Sequence, residues 1–244
     1  KLSKNVTLAL KVLFIVCATS AVFGVPVVRA DVAATTSTPQ STDPASSWQK
    51  RHAAKLALVQ AGGSSIVFLG DETVQAFEES YGAQNVWNRN WAAAPYSALN
   101  LGFAGDRTEN VLWRVENGEL DGFTARAIVL EVGHNNLKVR GDSVANTVAG
   151  VSAVVEAIKA KQPTAKVILC AIVPQYATRD TTYLDKVAQV NVELAKLADG
   201  ATVRWCGYDK AFRRVDPGYI RWTGALMPMV NAVLRGDVSP TKGE

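Results

Sequence analysis

From residue 48 onward, two kinds of apolar pattern alternate along the chain. Short, continuous apolar runs bounded by Gly, Ser, Asn or Asp occur at SIVFLG, ALNLGF, AIVLEVG, KVILCAIV and TVRWC. Runs of that length and composition read as strands buried on both faces. Between them the apolar positions recur at helical spacing. The clearest case covers 143–161, where Val144, Val148, Val151, Val155 and Ile158 form one stripe, Ser143 stands ready to cap the start and Pro163 lies just past the end. Further helices are expected at 48–60, 72–81, 108–117, 181–198 and 219–234. Strands joined through helices are parallel, because a parallel connection needs a crossover long enough to hold one. The pattern therefore predicts an α/β domain, a doubly wound parallel five-stranded sheet sandwiched by helices. In such sheets ligands bind beyond the carboxyl ends of the strands. That rule gathers three turns at one rim: Gly70-Asp71-Glu72, Phe103-Ala104-Gly105-Asp106 and Gly133-His134-Asn135-Asn136.

The amino-terminal part follows a different pattern. Residues 1–30 have a basic start, an apolar run from Val12 to Val28 and Val-Arg-Ala before Asp31. This is a signal-like segment. Because Lys1 and Lys4 flank the run, a retained membrane helix would leave the domain on the opposite, extracytoplasmic or lumenal side. That anchored arrangement is the expectation, and cleavage before Asp31 would instead give a secreted domain. Residues 31–47 are rich in Ser, Thr, Pro and Ala without apolar periodicity, which predicts a solvated tether. The domain spans 48–236, and 237–244 form a tail.

Composition narrows the function classes. The 244 residues carry a net charge of +4, but all four excess cations precede residue 31, so the domain itself is neutral. Without a basic surplus, nucleic-acid binding loses its main electrostatic term and is not expected. Three cysteines, Cys17, Cys170 and Cys206, show no framework spacing and read as free thiols. No CxxC or His/Cys cluster is present. Neither a metal nor a cofactor is expected, and other protein subunits are the expected partners. The glycines of the three rim turns are required by backbone conformation or close packing. Asp71 and Asp106 are expected to bond turn amides, Asn135 to cap its turn, and His134 to face solvent at the mouth of a pocket that Asp71 and His134 would border.

In order and spacing, GDE, NLGFAGDRTENVLWRVENGEL and VGHNN resemble the SGNH (GDSL-type) hydrolases, particularly the alpha catalytic subunits of intracellular platelet-activating-factor acetylhydrolase. The resemblance implies a flavodoxin-like SGNH fold and an esterase site. The residue after Gly-Asp would be the serine nucleophile, a Gly and an Asn would line the oxyanion hole, and an Asp-x-x-His near the carboxyl end would supply the base. Carried over, the hole falls on Gly105 and Asn135. The nucleophile position, however, is Glu72, and the acid and histidine positions are Lys210 and Arg213. The only histidines are His52 and His134. A serine esterase needs a base that exchanges its proton near neutral pH, and a guanidinium stays protonated. The expected function is thus a pseudoenzyme, a membrane-anchored accessory subunit of a larger assembly, in which Glu72 pairs with Arg213, Lys210 or Arg214. The alternatives are an esterase using Glu72 with His134, or a binding protein for an acyl or acetylated ligand.

Overall fold

The structure, a computed structural model, describes residues 32–79, 83–174, 178–207 and 216–237. Its centre is a parallel sheet of five strands, β1 (Ile66–Gly70), β2 (Leu99–Gly102), β3 (Ala127–Glu131), β4 (Lys166–Cys170) and β5 (Val203–Cys206), in the order β2-β1-β3-β4-β5. Every predicted strand is present. The reversal of strand order at β1 places the carboxyl ends of β1, β2 and β3 side by side, with Gly70 in register with Gly102 on one flank and Glu131 on the other.

Side chains alternate across the sheet. Val67, Leu69, Ile128, Leu130, Val167 and Leu169 face one core, built with α1 (Ser47–Gln60), α4 (Thr108–Arg114), α5 (Val144–Lys161) and α6 (Thr181–Ala195). Phe68, Val129, Ile168, Cys170 and Cys206 face the other, built with α2 (Glu72–Gln75), α3 (Gln84–Asn90) and α7 (Asp216–Arg235). The second core is aromatic, with Phe77 stacked on Trp222 and Phe68 edge-on to Trp87 and Trp91. Cys170 and Cys206 are buried and free.

The helix stripe in 143–161 packs as predicted, with Ser143 accepting a capping bond from Asn146 N. Three features depart from the sequence expectation. The helix expected over 72–81 lasts one turn and tightens at Ala76–Glu78, while α3 was not anticipated. The helix expected over 108–117 stops at Arg114 and widens at Val115–Glu119, where Gly118 takes φ 104°. The supposed tether is docked onto the domain. Ala34 is fully buried and its carbonyl accepts from the Thr108 hydroxyl, Thr38 bonds to Glu109 and Asn110, and Gln40 reaches Ala104 and Asp106. Its polar composition reads correctly as exposure, but backbone and amide hydrogen bonds hold a segment that has almost no apolar surface to bury.

Among the described residues no helix is long and apolar enough to cross a membrane. The expected membrane helix in 1–30 and Cys17 lie outside the described residues, as do Lys210, Arg213, Arg214 and most of the 237–244 tail.

Candidate active site

The rim turns converge as the strand ends require. Asp71 follows β1 and caps α2, its Oδ1 accepting from Thr73 N at 2.9 Å. Helix α2 then presents Glu72 and Gln75, three residues apart on one face, to the turn after β2. Gln75 Oε1 accepts from Ala104 N at 2.7 Å, and Glu72 Oε2 accepts from Gly105 N at 3.1 Å. Gly105 has φ +81°, a backbone state that directs its amide into the site and that other residues adopt only with strain. From the turn after β3, Asn135 Nδ2 donates to the same Glu72 oxygen at 2.7 Å and to Asp106 O at 2.9 Å. The two donors assigned by resemblance to an oxyanion hole thus meet at one point, and the carboxylate of Glu72 is there.

Behind the Gly105 turn sits Arg114, fully buried. Its Nε donates to Asp106 Oδ2 at 2.8 Å, Nη1 to Leu101 O at 3.1 Å and Nη2 to Gly70 O at 3.0 Å, and its guanidinium lies 3.9 Å over the Phe103 ring. Nη1 also pairs with Glu119, which in turn bonds His52 Nδ1 at 2.8 Å. Asp106 Oδ1 takes a further bond from Trp48 Nε1 at 2.7 Å. One guanidinium therefore ties the ends of β1 and β2 to the donor turn. Burial raises Asp106 to about 7 against the opposing pull of Arg114 and Trp48. Burial also works against the Arg114 cation, but Glu119 and Asp106 more than offset it and leave its pKa raised.

Behind Glu72 the setting is different. Asp71 and Glu131 are fully buried, and Asp71 N donates to Glu131 O at 3.3 Å. Burial, then Glu131 and Glu72, push the Asp71 carboxyl well above its usual range; burial, followed by Glu72, raises Glu131 to about 7.

Several sequence expectations change here. Asp71 bonds a turn amide as expected but is too deeply buried to border a pocket. Asp106 bonds side chains rather than turn amides. His134 does not face solvent: it is 4% exposed and its Nδ1 meets the Tyr183 hydroxyl at 2.6 Å, because α6 packs over the turn after β3. Asn135 bonds a backbone carbonyl and the Glu72 carboxylate together. The expected partners of Glu72, Lys210, Arg213 and Arg214, fall outside the described residues. Sequence reasoning passed over Arg114, Gln40 and Glu131. The last had a signal, a lone acid inside the strand AIVLE of a sheet covered on both faces. Among the described residues no cluster of His, Cys, Asp and Glu could hold a metal.

Comparison with known proteins agrees with this geometry. Residues 62–225 match the GDSL-like Lipase/Acylhydrolase family. The human platelet-activating factor acetylhydrolase IB subunit alpha1 is 31% identical over 180 residues, covering 73% of this chain and 71% of the human protein. The rat alpha2 subunit is 33% identical over 183 residues, covering 73% and 71%. Among solved structures, a GDSL-like lipase from Bacteroides thetaiotaomicron superposes with a TM-score of 0.59 at 15% identity, covering 77% of this chain and 97% of that one. An aryl esterase from M. smegmatis gives 0.55 at 12% identity, covering 69% and 98%. The strand order, the convergent rim turns and these matches together place the chain in the GDSL-like lipase/acylhydrolase family.

Proposed function

We propose that this chain is a non-catalytic member of its family, in which the former nucleophile position has become a plug. The observation that carries the reading is the Glu72 carboxylate bonded to both Gly105 N and Asn135 Nδ2. In an acyl-transfer enzyme those donors stabilise the oxyanion that develops in the transition state. Here an anion belonging to the protein already holds them, so a substrate carbonyl would have to displace a charged group to reach them. Position 72 also lacks a hydroxyl or thiol. A carboxylate attacking an ester would form a mixed anhydride, and its hydrolysis needs a base to activate water. The two histidines are engaged elsewhere, His52 with Glu119 and His134 with Tyr183. That arrangement disfavours an esterase built on Glu72 and His134.

On this reading the chain serves as an accessory subunit of a larger assembly, attached to a membrane through residues 1–30 with the domain extracytoplasmic or lumenal. The basic, apolar amino-terminal pattern supports the attachment. Purification in mild detergent should bring partner proteins with it, whereas migration as a lone soluble protein, or a mature chain beginning at Asp31, would remove the anchored-subunit role. The catalytic part has a separate test. The full chain should hydrolyse p-nitrophenyl acetate no faster than buffer, and Glu72→Ser alone should not restore a rate, since no base accompanies the new hydroxyl. A wild-type rate abolished by Glu72→Ala or His134→Ala would overturn the non-catalytic reading.

A further inference from the structure

The acids behind Glu72 form a site that hydrolase chemistry does not use. Asp71 and Glu131 are each 0% exposed, at the adjacent ends of β1 and β3. Asp71 Oδ1 is satisfied by Thr73 N, but Asp71 Oδ2 and both Glu131 oxygens accept no hydrogen bond. The Thr73 hydroxyl and the Val173 amide face Glu131 and favour its charge, yet neither closes to bonding geometry. Thr73 Oγ1 is itself fully buried and unpartnered. Among the described residues no lysine, arginine or histidine forms an ion pair with either acid. Two carboxylates buried together with no cation paired to either among the described residues do not both stay ionised at neutral pH. A proton between them supplies the donor that both lack.

We infer that Asp71 and Glu131 share one proton at neutral pH, and that losing it drives Glu72 out of the Gly105–Asn135 hole. The step is a simple ionisation: a carboxyl O–H bond breaks, the proton passes to solvent base and the charge of the pair goes from −1 to −2. Glu72 directly follows Asp71 and interacts repulsively with both acids. Of the three carboxyls it alone is partly exposed, so it is the one with a path outward when the second negative charge appears. The plug is thereby tied to a proton bound beneath it.

Other titratable groups lie on the neighbouring elements, of which Cys170 interacts with Glu131. On β4, burial pushes the Cys170 thiol well up; on β5, Cys206 is lowered because Cys170 donates to it; on α7, Tyr219 donates its hydroxyl to Thr73 O at 2.7 Å. A Cys206→Ser control distinguishes thiol ionisation from carboxyl ionisation.

The experiment is a pH titration of the full chain by ¹⁵N–¹H NMR, following the Gly105 backbone amide and the Asn135 side-chain amide, the two donors Glu72 occupies. In the wild type both signals should shift in one step on the alkaline side of neutrality, where the last shared proton leaves, and the infrared C=O stretch of a protonated carboxyl should vanish over the same range. Glu131→Gln should abolish both changes. Asp71→Asn should do so too, and it keeps a good helix cap should the first variant fold poorly. Cys206→Ser should leave them in place. Signals that do not move from about pH 5 to about pH 9, or a step that survives in both acid variants, would overturn the inference. No readout depends on hydrolysis, so its failure leaves the non-catalytic reading untouched.

Discussion

Two buried acid clusters flank the same hole, and they are neutralised in opposite ways. On the Gly105 side, Asp106 and Glu119 close on Arg114, and both Asp106 oxygens carry donors: Arg114 on one, Trp48 and Gln40 on the other. On the Glu72 side, Asp71 and Glu131 face each other with three oxygens lacking a donor. The first cluster is a brace built on a cation that does not titrate, and although burial raises Asp106 to about 7, the guanidinium fork still holds two strand ends and a turn at once. The second has no cation among the described residues and sheds charge only by binding protons, so its charge follows the solvent. A turn built to aim backbone donors is thus held rigidly, while Glu72 rests on an acid pair that responds to pH.

The largest expected effect breaks the brace. Arg114→Met takes the cation from Asp106 and Glu119 and one donor from each of the carbonyls of Gly70 and Leu101, and removing one partner of a buried pair typically costs about 3–5 kcal/mol. Urea unfolding of the variant should show a loss of that order. A cost below about 1 kcal/mol would mean that Arg114 is replaceable and that the two clusters are not mechanically different.

Next in size is the pH dependence of stability. Glu131 rises from its ordinary value to about 7 in the fold. A raised folded-state pKa means that the native protein binds the proton more tightly than the unfolded chain. The stabilisation is therefore fully present below the unfolded value near 4.5 and is lost as pH climbs through about 7. Over that window the wild type should lose on the order of 3 kcal/mol, an upper figure because Asp71 shares the titration. Glu131→Gln should flatten the slope and be the more stable protein above neutrality. A parallel slope in both proteins would assign the dependence to other carboxyls.

How far all this could be read from the sequence differs by region. The five strands and the gathering of the three rim turns follow from apolar period and from where parallel strands end, the meeting of Gly105 and Asn135 at one hole follows from the resemblance, and the strand order comes only from the fold. Arg114 was hidden because it lies in the apolar stripe of Val111, Leu112 and Val115, where a helix pattern tolerates one charge without showing whether it is buried. Gln40 was hidden for the opposite reason: a polar segment has no periodicity from which docking can be inferred, and only tertiary hydrogen bonds reveal it. Glu131 was visible as an anomaly in AIVLE, but its meaning depends on Asp71, which reaches it only through strand pairing across 60 residues of chain.

The smallest expected effect sharpens the comparison at the plug itself. Glu72 is partly exposed and sits over the repelling pair, so its bonds to Gly105 N and Asn135 Nδ2 are offset by the cost of a third nearby carboxylate. Glu72→Gln keeps one carbonyl oxygen able to accept from Gly105 N and Asn135 Nδ2 while deleting the charge that faces Asp71 and Glu131. A charge-assisted bond is stronger than a neutral one, but the relieved repulsion works the other way, so the net change should fall within about 1 kcal/mol. Glu72→Ala gives up the bonds as well and should be the less stable of the two. The informative quantity is the difference between these variants at acidic and alkaline pH. With the pair protonated, Glu72 should compare favourably with Gln; with the pair doubly charged, Gln should overtake it. A ranking that does not change with pH would mean that the plug and the acid pair are energetically independent, and the two flanks of the hole would then differ in composition but not in behaviour.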